Sequence, residues 1–253
     1  MPIQGSLPKG EYDYLIIGAG SAGCVLAARL TEDPQTRVCL IEVGPRDRSL
    51  FIHMPAALTM PIESKTWNWR YVTGPEPHLN NRMIGQARGR GLGGSSSING
   101  MVWVRGHQSD YDQWEAEGLT GWSFADCLPY FKKMESFEGG RDPNRGGDGP
   151  LKITRSKADH PFYEAFLRAG EAYGLPTARD YNSDSIEGLH VTQATISGGR
   201  RQSTAVAYLH PVAHRPNLTV LTGWRADRVL MDGDRATSVA LRRGKETAEL
   251  RAG

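Results

Sequence analysis

The sequence has no long hydrophobic run and no excess of either charge. No stretch approaches the roughly 18 consecutive apolar residues that a membrane-spanning helix needs, so no transmembrane segment is predicted. The 30 basic and 28 acidic side chains leave a formal net charge of +2, which gives no indication of a nucleic-acid partner. With 253 residues, the chain can still bury a substantial core, as one large or two small domains.

Cysteine is also scarce. The three cysteines, Cys24, Cys39 and Cys127, fit neither a disulfide framework nor a zinc site, because their number is odd and no CxxC spacing occurs. We therefore predict no metal site and expect Cys24 and Cys39 to be small buried side chains. The first ten residues, MPIQGSLPKG, lack the charged start and apolar core of a signal peptide, so we expect a cytoplasmic location.

A glycine-rich turn stands between two apolar runs near the start of the chain. Residues 12–23 read YDYLIIGAGSAG, in which Gly18, Gly20 and Gly23 have G-x-G-x-x-G spacing. The first glycine permits a tight turn, the second lets a pyrophosphate approach the backbone, and the third lets the following helix pack on the strand. The free N–H groups of that helix point at the phosphates. The pattern predicts a dinucleotide site.

The second apolar run, VCLIE, ends at Glu42, 19 residues after Gly23. A carboxylate at the end of the second strand accepts hydrogen bonds from a ribose hydroxyl and repels a 2′-phosphate, so NADP is disfavoured. A lone glycine motif is a weak signal, but strand, turn, helix, second strand and acid together are a strong one.

The helix after the glycines is predicted over residues 21–30, with Val25, Leu26 and Leu30 as its buried stripe. With the strands on either side it forms the first βαβ half of a doubly wound fold, whose ligand lies at the carboxyl ends of the strands. Farther along, Trp67 and Trp69 are expected to pack in the core, which is the commoner role of such aromatic side chains.

Residues 89–99, GRGLGGSSSIN, form a second glycine-rich stretch. Glycine pairs and three consecutive hydroxyl side chains concentrate N–H and O–H donors, which would suit a second anionic or polar part of a ligand. The alternative is a flexible linker. The stretch is short and meets the apolar residues MVWV almost at once, which favours the ligand-binding interpretation.

Together, the two glycine-rich stretches resemble the glucose-methanol-choline (GMC) oxidoreductase family, flavoenzymes that oxidise alcohols. The residues at the spacings of that family's first signature are Gly89, Arg90, Leu92, Gly93, Gly94, Ser95, Ser96, Ile98, Asn99, Trp103, Gly106 and Asp112. The similarity continues over residues 66–69, 75–82, 121–135, 146–150, 200–209 and 215–223. It therefore extends over nearly the whole chain.

The resemblance implies an α/β chain with a Rossmann-like FAD-binding fold of the GMC type. It further implies an antiparallel meander over residues 218–250 and the start of a second, substrate-binding domain interleaved around residues 151–210. The strands are predicted at 218–221, 226–231 and 236–242, the last two joined by the hairpin signal Asp232-Gly233-Asp234. Family members continue well beyond this length, so we expect a truncated N-terminal portion, with the catalytic histidine beyond residue 253.

The cofactor implied by the resemblance is FAD. Its pyrophosphate is expected at Gly18, Gly20, Ser21, Ala22 and Gly23, and its adenosine ribose at Glu42. Its flavin side is expected at Gly94, Ser95, Asn99, Gly100 and Val102, and its adenine at the backbone of Ala226. Some family members attach flavin covalently through a histidine at the place of Ile98, so we predict non-covalent FAD here.

By the same resemblance, the parent enzyme oxidises the CH–OH group of an alcohol by hydride transfer to flavin N5, with choline to betaine aldehyde as the expected reaction. Another primary alcohol or a polyol is the alternative substrate, and a non-catalytic FAD-binding fragment is the alternative function. An NAD-dependent dehydrogenase shares the first motif, but the GGSSSIN loop weighs against it. The expected partners are the alcohol and an electron acceptor; peripheral membrane contact, oligomerisation and oxidase activity stay open.

A separate helix is predicted from Pro161, with Asp159 or His160 as its cap. Its apolar face is predicted to be buried core. The residues of that face are Phe162, Ala165, Phe166, Ala169 and Tyr173.

Overall fold

The computed structural model describes residues 10–178, 180–183 and 186–253. Residues 1–9, on which the expectation of no signal peptide mainly rests, lie outside the described residues. Among the helices of the described ranges, none combines the length and the apolar character that crossing a lipid bilayer demands.

The secondary structure of the described residues alternates short strands and helices. The strands are β1 (Tyr14–Ile17), β2 (Val38–Glu42), β3 (Tyr71–Val72), β4 (Gly85–Gln86), β5 (Glu135–Phe137), β6 (Leu151–Arg155), β7 (Gln193–Ala194), β8 (Ile196–Ser197), β9 (Arg200–Arg201), β10 (Leu218–Thr222), β11 (Arg225–Asp232), β12 (Arg235–Arg243) and β13 (Glu246–Arg251). The α-helices are α1 (Ser21–Leu30), α2 (Leu50–His53), α3 (Thr59–Glu63), α4 (Gln108–Ala116), α5 (Phe124–Met134), α6 (Pro161–Ala172) and α7 (His210–Val212). Short 3-10 helices span Pro55–Ala57, Pro77–Leu79 and Gly94–Ser97, and a π-helix spans Ala205–Leu209.

The chain divides into two compact units. The first combines the residues up to Gly100 with Arg200–Gly253, and the second is Met101–Gly199. The assignment of residues 151–210 to the start of a substrate-binding domain stays a prediction.

The centre of the first unit is a parallel sheet in the order β1-β2-β10. Ile41 of β2 has Ile17 as its neighbour on one side and Leu221 on the other. All five residues of β2 are buried, because the strand has a neighbour at each edge and packed layers on both faces, which explains its unbroken apolar run. The doubly wound start predicted from the sequence is thus present.

The two faces of this sheet bury different sets of side chains. Val38 and Leu40 join α1 and the π-helix in one cluster, and Cys39 and Ile41 join Trp224 and the meander strands in another. The alternation follows from the two-residue period of a strand. Cys24 and Cys39 are both buried, as predicted.

The antiparallel meander consists of β11, β12 and β13. Its first hairpin turns at Gly233, with Asp232 paired to Arg235, as the Asp-Gly-Asp signal predicts. The prediction that residues 218–221 belong to the meander is wrong. They form β10, which lies parallel to β2, and the third meander strand is β13. A short apolar strand does not by itself specify whether its partner is parallel or antiparallel.

Helix α1 has the predicted bounds, but its buried face differs from the predicted stripe. Leu26 is 49% exposed, and the residues buried in the helix are Gly23, Cys24, Ala27 and Ala28. Only small side chains fit there because the helix approaches the sheet closely: a Cβ on Gly23 would overlap the carbonyl oxygen of Gly18.

The second unit is built around a sheet in the order β5-β6-β7 and a buried polar core. Arg145 is fully buried and donates to Glu135 Oε1 at 2.8 Å and to both carboxylate oxygens of Asp180 at 2.9 and 2.8 Å. Arg105 donates to the same Glu135 oxygen at 2.7 Å. Charges that are buried this completely must be paired, and here each one is.

Helix α6 begins at Pro161 with His160 as its cap, as predicted, but its apolar face is not buried. Phe162 is 71%, Phe166 55% and Tyr173 86% exposed. The helix contacts its own unit through Gly170, where a Cβ would overlap Leu189. Periodicity identifies an apolar face without identifying what covers it.

Candidate functional site

A cleft of about 480 Å³ opens at the carboxyl ends of β1 and β2 in the first unit. This is where a doubly wound sheet places its ligands. The residues that line the cleft are Ile17, Gly18, Gly20, Ser21, Ile41, Glu42, Val43, Trp69, Gly89, Gly94, Ser95, Trp224, Arg225 and Ala226. The two glycine-rich stretches of the sequence and Glu42 therefore meet in one site.

The first glycine-rich turn forms one wall of the cleft. Gly18 has φ of +93°, a conformation that glycine adopts most readily. Cβ atoms on Gly18 and Gly20 would meet no atom within 4 Å, so open space lies beside both. Gly20 is the N-cap of α1, and the first N–H groups of a helix have no partner inside it. This wall thus offers N–H donors and a positive helix end to an anion.

The second glycine-rich turn lies against the first. The N–H of Gly93 donates to the carbonyl of Ala19 at 2.8 Å, and a Cβ on Gly94 would come within 2.6 Å of Gly20 Cα. Gly94 has φ of +53° and begins the 3-10 helix. Ser95 lines the cleft, while its Oγ accepts from the N–H of Gly89 at 3.0 Å.

Glu42 closes the inner end of the cleft. Its Oε2 accepts from the N–H of Ala19 at 2.9 Å and its Oε1 from the N–H of Gly44 at 2.8 Å. Burial raises the pKa of this carboxyl, and the backbone N–H groups oppose that rise. The N–H of Gly91 is a third backbone group acting on Glu42. Because a carboxylate has about four lone-pair positions, these three leave Glu42 able to accept from a further hydroxyl group.

Two aromatic side chains in the cleft were not predicted as site residues. Trp224 is fully buried, and its Nε1 has no hydrogen-bond partner in the described part of the chain. Trp69 is 37% exposed and lines the cleft, so the prediction that it is a core residue is wrong, while Trp67 is half-buried. Trp69 lies in an irregular stretch, where no periodic pattern indicates which way a side chain points.

Some of the remaining predicted residues line the cleft and others do not. Ala226 lines the cleft, as the resemblance implied for the adenine end, whereas Gly23 packs beneath the turn. Asn99 is exposed, with its Oδ1 bound by Arg201 Nη1 at 2.9 Å, and Val102 belongs to the second unit. Gly23, Asn99 and Val102 therefore do not line this cleft.

Two further predicted positions lie apart from the cleft lining. Ala22 and Gly100 are exposed and are not among the lining residues. Ile98, the position at which some relatives of the resembled family carry the flavin, is only 3% exposed.

Arg201 is a buried residue that sequence reasoning missed. Its guanidinium donates to the carbonyl oxygens of Ile52 at 2.8 Å, Ser96 at 3.2 Å and Asn99 at 2.7 Å. Burial lowers its pKa to about 10. This side chain therefore fastens the second glycine-rich turn to α2, a role with no local signature because the partners are backbone carbonyls far away in the sequence.

Comparison with known proteins gives a family match over most of the chain. A sequence model described as GMC oxidoreductase matches residues 12–252. Among individual relatives, mitochondrial choline dehydrogenase of Mus musculus is 48% identical over 241 residues, which cover 92% of this chain and 40% of that protein.

Solved structures agree with this match. Pyridoxine 4-oxidase from Mesorbium loti superposes with a TM-score of 0.90 at 36% identity, covering 96% of this chain and 48% of that one. An FAD-dependent oxidoreductase from Chaetomium thermophilum superposes with a TM-score of 0.89 at 32% identity, covering 96% and 44%. The chain thus spans less than half the length of these relatives.

Proposed function

This chain belongs to the GMC oxidoreductase family, and from that membership we propose that it is the FAD-binding portion of an enzyme that oxidises the CH–OH group of a small alcohol. Choline is the first candidate substrate, because the mouse choline dehydrogenase is 48% identical over the matched region. Another primary alcohol is the second candidate, supported by the structural likeness to pyridoxine 4-oxidase.

The observation that carries the proposal is the shape of the cleft. Gly18 and Gly20 have open space where side chains would begin, and the contact between Gly94 and Gly20 excludes side chains from the opposite wall. A ligand backbone can therefore approach main-chain N–H groups closely, as the pyrophosphate of a dinucleotide requires. The residues present fit FAD.

Each part of FAD has a proposed set of residues. Gly18, Gly20 and Ser21 would bind the pyrophosphate through backbone N–H groups, and Glu42 would accept from the adenosine ribose. Gly94 and Ser95 would face the flavin side, and the backbone of Ala226 would contact adenine. Asn99, Gly100 and Val102 for the flavin side, and Ala22 and Gly23 for the pyrophosphate, stay predictions, because they are not among the residues that line the cleft. When bound, FAD supplies the acceptor for the hydride that leaves the alcohol carbon.

The proton chemistry of the reaction is proposed to lie elsewhere. We propose that the catalytic histidine belongs to the part of the relatives that this chain does not cover, so that this chain alone binds FAD but does not turn over an alcohol. A cytoplasmic location and a separate electron acceptor are parts of the same proposal. The rival function is a nucleotide-binding protein without catalysis.

Flavin binding tests the proposal most directly. The purified chain should carry a flavin absorbance spectrum or acquire one with FAD, and FAD should quench the fluorescence of Trp69 and Trp224 in the cleft. NAD⁺ at the same concentration should produce neither effect. Quenching by NAD⁺ but not by FAD would identify the chain as part of a nicotinamide enzyme.

A second experiment separates the parent function from that of the isolated chain. A longer version that also contains the C-terminal part found in the relatives should reduce an electron-accepting dye with choline. The 253-residue chain with bound FAD should not. Dye reduction by the shorter chain would overturn the placement of the catalytic base. Acid precipitation should release the flavin, and yellow colour retained by the precipitate would contradict non-covalent binding.

A further inference from the structure

A second cavity, of about 530 Å³, lies beside the FAD cleft in the first unit. Val43, Trp69 and Arg225 belong to the lining of both. The full lining is Val43, Lys65, Asn68, Trp69, Arg90, Gly223, Arg225, Arg242, Arg243 and Gly244. Half of these residues are cationic, and no aspartate or glutamate is among them.

The cations are only partly neutralised by nearby acids. Asp227 lies 2.8 Å from Arg242 and 3.5 Å from Arg225, and Glu246 lies 2.8 Å from Arg243. Within the described ranges, Lys65 and Arg90 form no ion pair. Glu42 of the neighbouring cleft also interacts electrostatically with Arg90, so three carboxylates act on five cations and a surplus of positive charge is left around one concave space.

Two of the five cations are held in place by aromatic rings. The guanidinium of Arg90 lies over the ring of Trp69 at 5.6 Å, and that of Arg243 lies over Trp224 at 4.4 Å. Cation–π contacts of this kind stabilise the position of the guanidinium without neutralising its charge. Like charges brought together in this way repel one another, and an anion between them would remove that repulsion.

We propose that this cavity is a binding site for a small molecule bearing a diphosphate group. Arginine and lysine side chains are the usual partners of phosphate oxygens, and the volume exceeds what a single phosphate fills. The proposal goes beyond the FAD site, because the pyrophosphate of FAD is assigned to the glycine turns on the far wall of the neighbouring cleft.

Inorganic pyrophosphate is the probe that tests this site. Calorimetry on the chain saturated with FAD should show binding that weakens with added NaCl, as expected for exposed charges. Lys65→Gln and Arg242→Gln should each weaken it by roughly tenfold or more, the loss expected for a charged hydrogen bond. Arg235→Gln is the matched control, because Arg235 is exposed on the same strand as Arg242 and does not line the cavity.

The other outcomes overturn the proposal. Equal weakening by all three substitutions would mean that pyrophosphate responds only to net charge. Binding confined to the FAD-free chain, and unchanged by Lys65→Gln, would place the anion on the glycine turns. Absence of binding to the intact chain, or binding only to vesicles of an anionic phospholipid, would show that a soluble diphosphate is not the ligand.

Discussion

The α-carbon of Gly20 occupies the place where a side chain on Gly94 would begin, because a Cβ built on Gly94 comes within 2.6 Å of it. Two turns from distant parts of the sequence are thus in direct contact. Gly94 cannot gain a Cβ without moving the first turn. Both turns line the cleft at the carboxyl ends of β1 and β2, and three of the five predictions below concern the first unit, which contains it.

Gly20→Ala should impair FAD binding without unfolding the chain. Gly20 has φ of −77°, which alanine tolerates, and its Cβ would meet no protein atom within 4 Å. The added methyl group therefore projects into the space assigned to the pyrophosphate. We expect the dissociation constant for FAD, measured by flavin fluorescence, to rise at least about tenfold, which corresponds to about 1.4 kcal/mol.

Gly85→Ala is the matched control for that measurement. Gly85 also has open space around its Cβ position and lies in β4, away from the cleft. It should bind FAD as the parent chain does. Normal affinity in Gly20→Ala, with its fold intact by circular dichroism, would remove the first turn from the cofactor site.

Gly23→Ala should destabilise the first unit. The new Cβ would overlap the carbonyl oxygen of Gly18 and press on Ile16, so the helix and the strand must separate. Overpacking of this kind costs about 1–3 kcal/mol, measurable as a lower midpoint of guanidinium unfolding. An unchanged midpoint would show that α1 can shift away from the sheet without loss of stability.

Arg145→Met should destabilise the second unit severely. Substitution leaves Asp180 without its fully buried cation and leaves Glu135 with Arg105 as its remaining one, and breaking a buried ion pair costs about 3–5 kcal/mol. Arg168→Met is the control, because Arg168 pairs with Glu164 on the exposed surface of α6. That change should alter the free energy of unfolding by less than about 1 kcal/mol. Similar losses in both variants would contradict a special role for the buried network.

Cys24 and Cys39 should resist thiol reagents in the folded chain. Burial raises the pKa of Cys24 to about 11 and that of Cys39 to about 12, and the thiolate is the reactive form. Raising the pH from neutral to mildly alkaline should therefore add no labelling from either. Cys127 is partly exposed and should react first, so Cys127→Ser should abolish native labelling, while denaturant should release two thiols. Native labelling that survives Cys127→Ser would mean that the core opens readily.

The exposed face of α6 should make the isolated chain self-associate or bind hydrophobic dyes. The double substitution Phe162→Ser and Phe166→Ser should reduce 8-anilinonaphthalene-1-sulfonate (ANS) fluorescence and sedimentation of aggregates. The free energy of unfolding should change by no more than about 0.5 kcal/mol for each exposed residue. Phe137→Ser, at a position only 6% exposed, should instead unfold the second unit. Unchanged dye binding in the double variant would show that the apolar surface that binds ANS lies elsewhere.

The parts of the site that could be predicted from the sequence are those whose backbone geometry requires glycine. Gly18 and Gly94 have positive φ angles, and such positions appear in a sequence as fixed glycine spacing. Glu42 could be predicted because it ends a strand that is apolar throughout. Both signals are local, so they need no knowledge of the tertiary structure.

The remaining site residues depend on contacts between distant segments. Trp224 enters the cleft because β10 lies beside β2, and Arg225 and Ala226 follow it at the start of β11. The pairing of β10 was itself predicted wrongly, so its consequences could not be read from the sequence. Ala27 and Ala28, two of the small buried residues of α1, were also missed, because a hydrophobic stripe does not reveal how close the neighbouring backbone comes.

The position of β10 in the sheet also bears on how the chain is made. β2 ends at Glu42 and β10 begins at Leu218, so a ribosome adding about 5–20 residues per second completes the second strand roughly 10–35 s before its neighbour exists. During that interval one edge of β2 is unpaired, and the second unit emerges and can fold in the meantime. Unpaired strand edges are sites of intermolecular pairing, so yield of folded chain should depend on translation speed and on chaperones that occupy nascent strands.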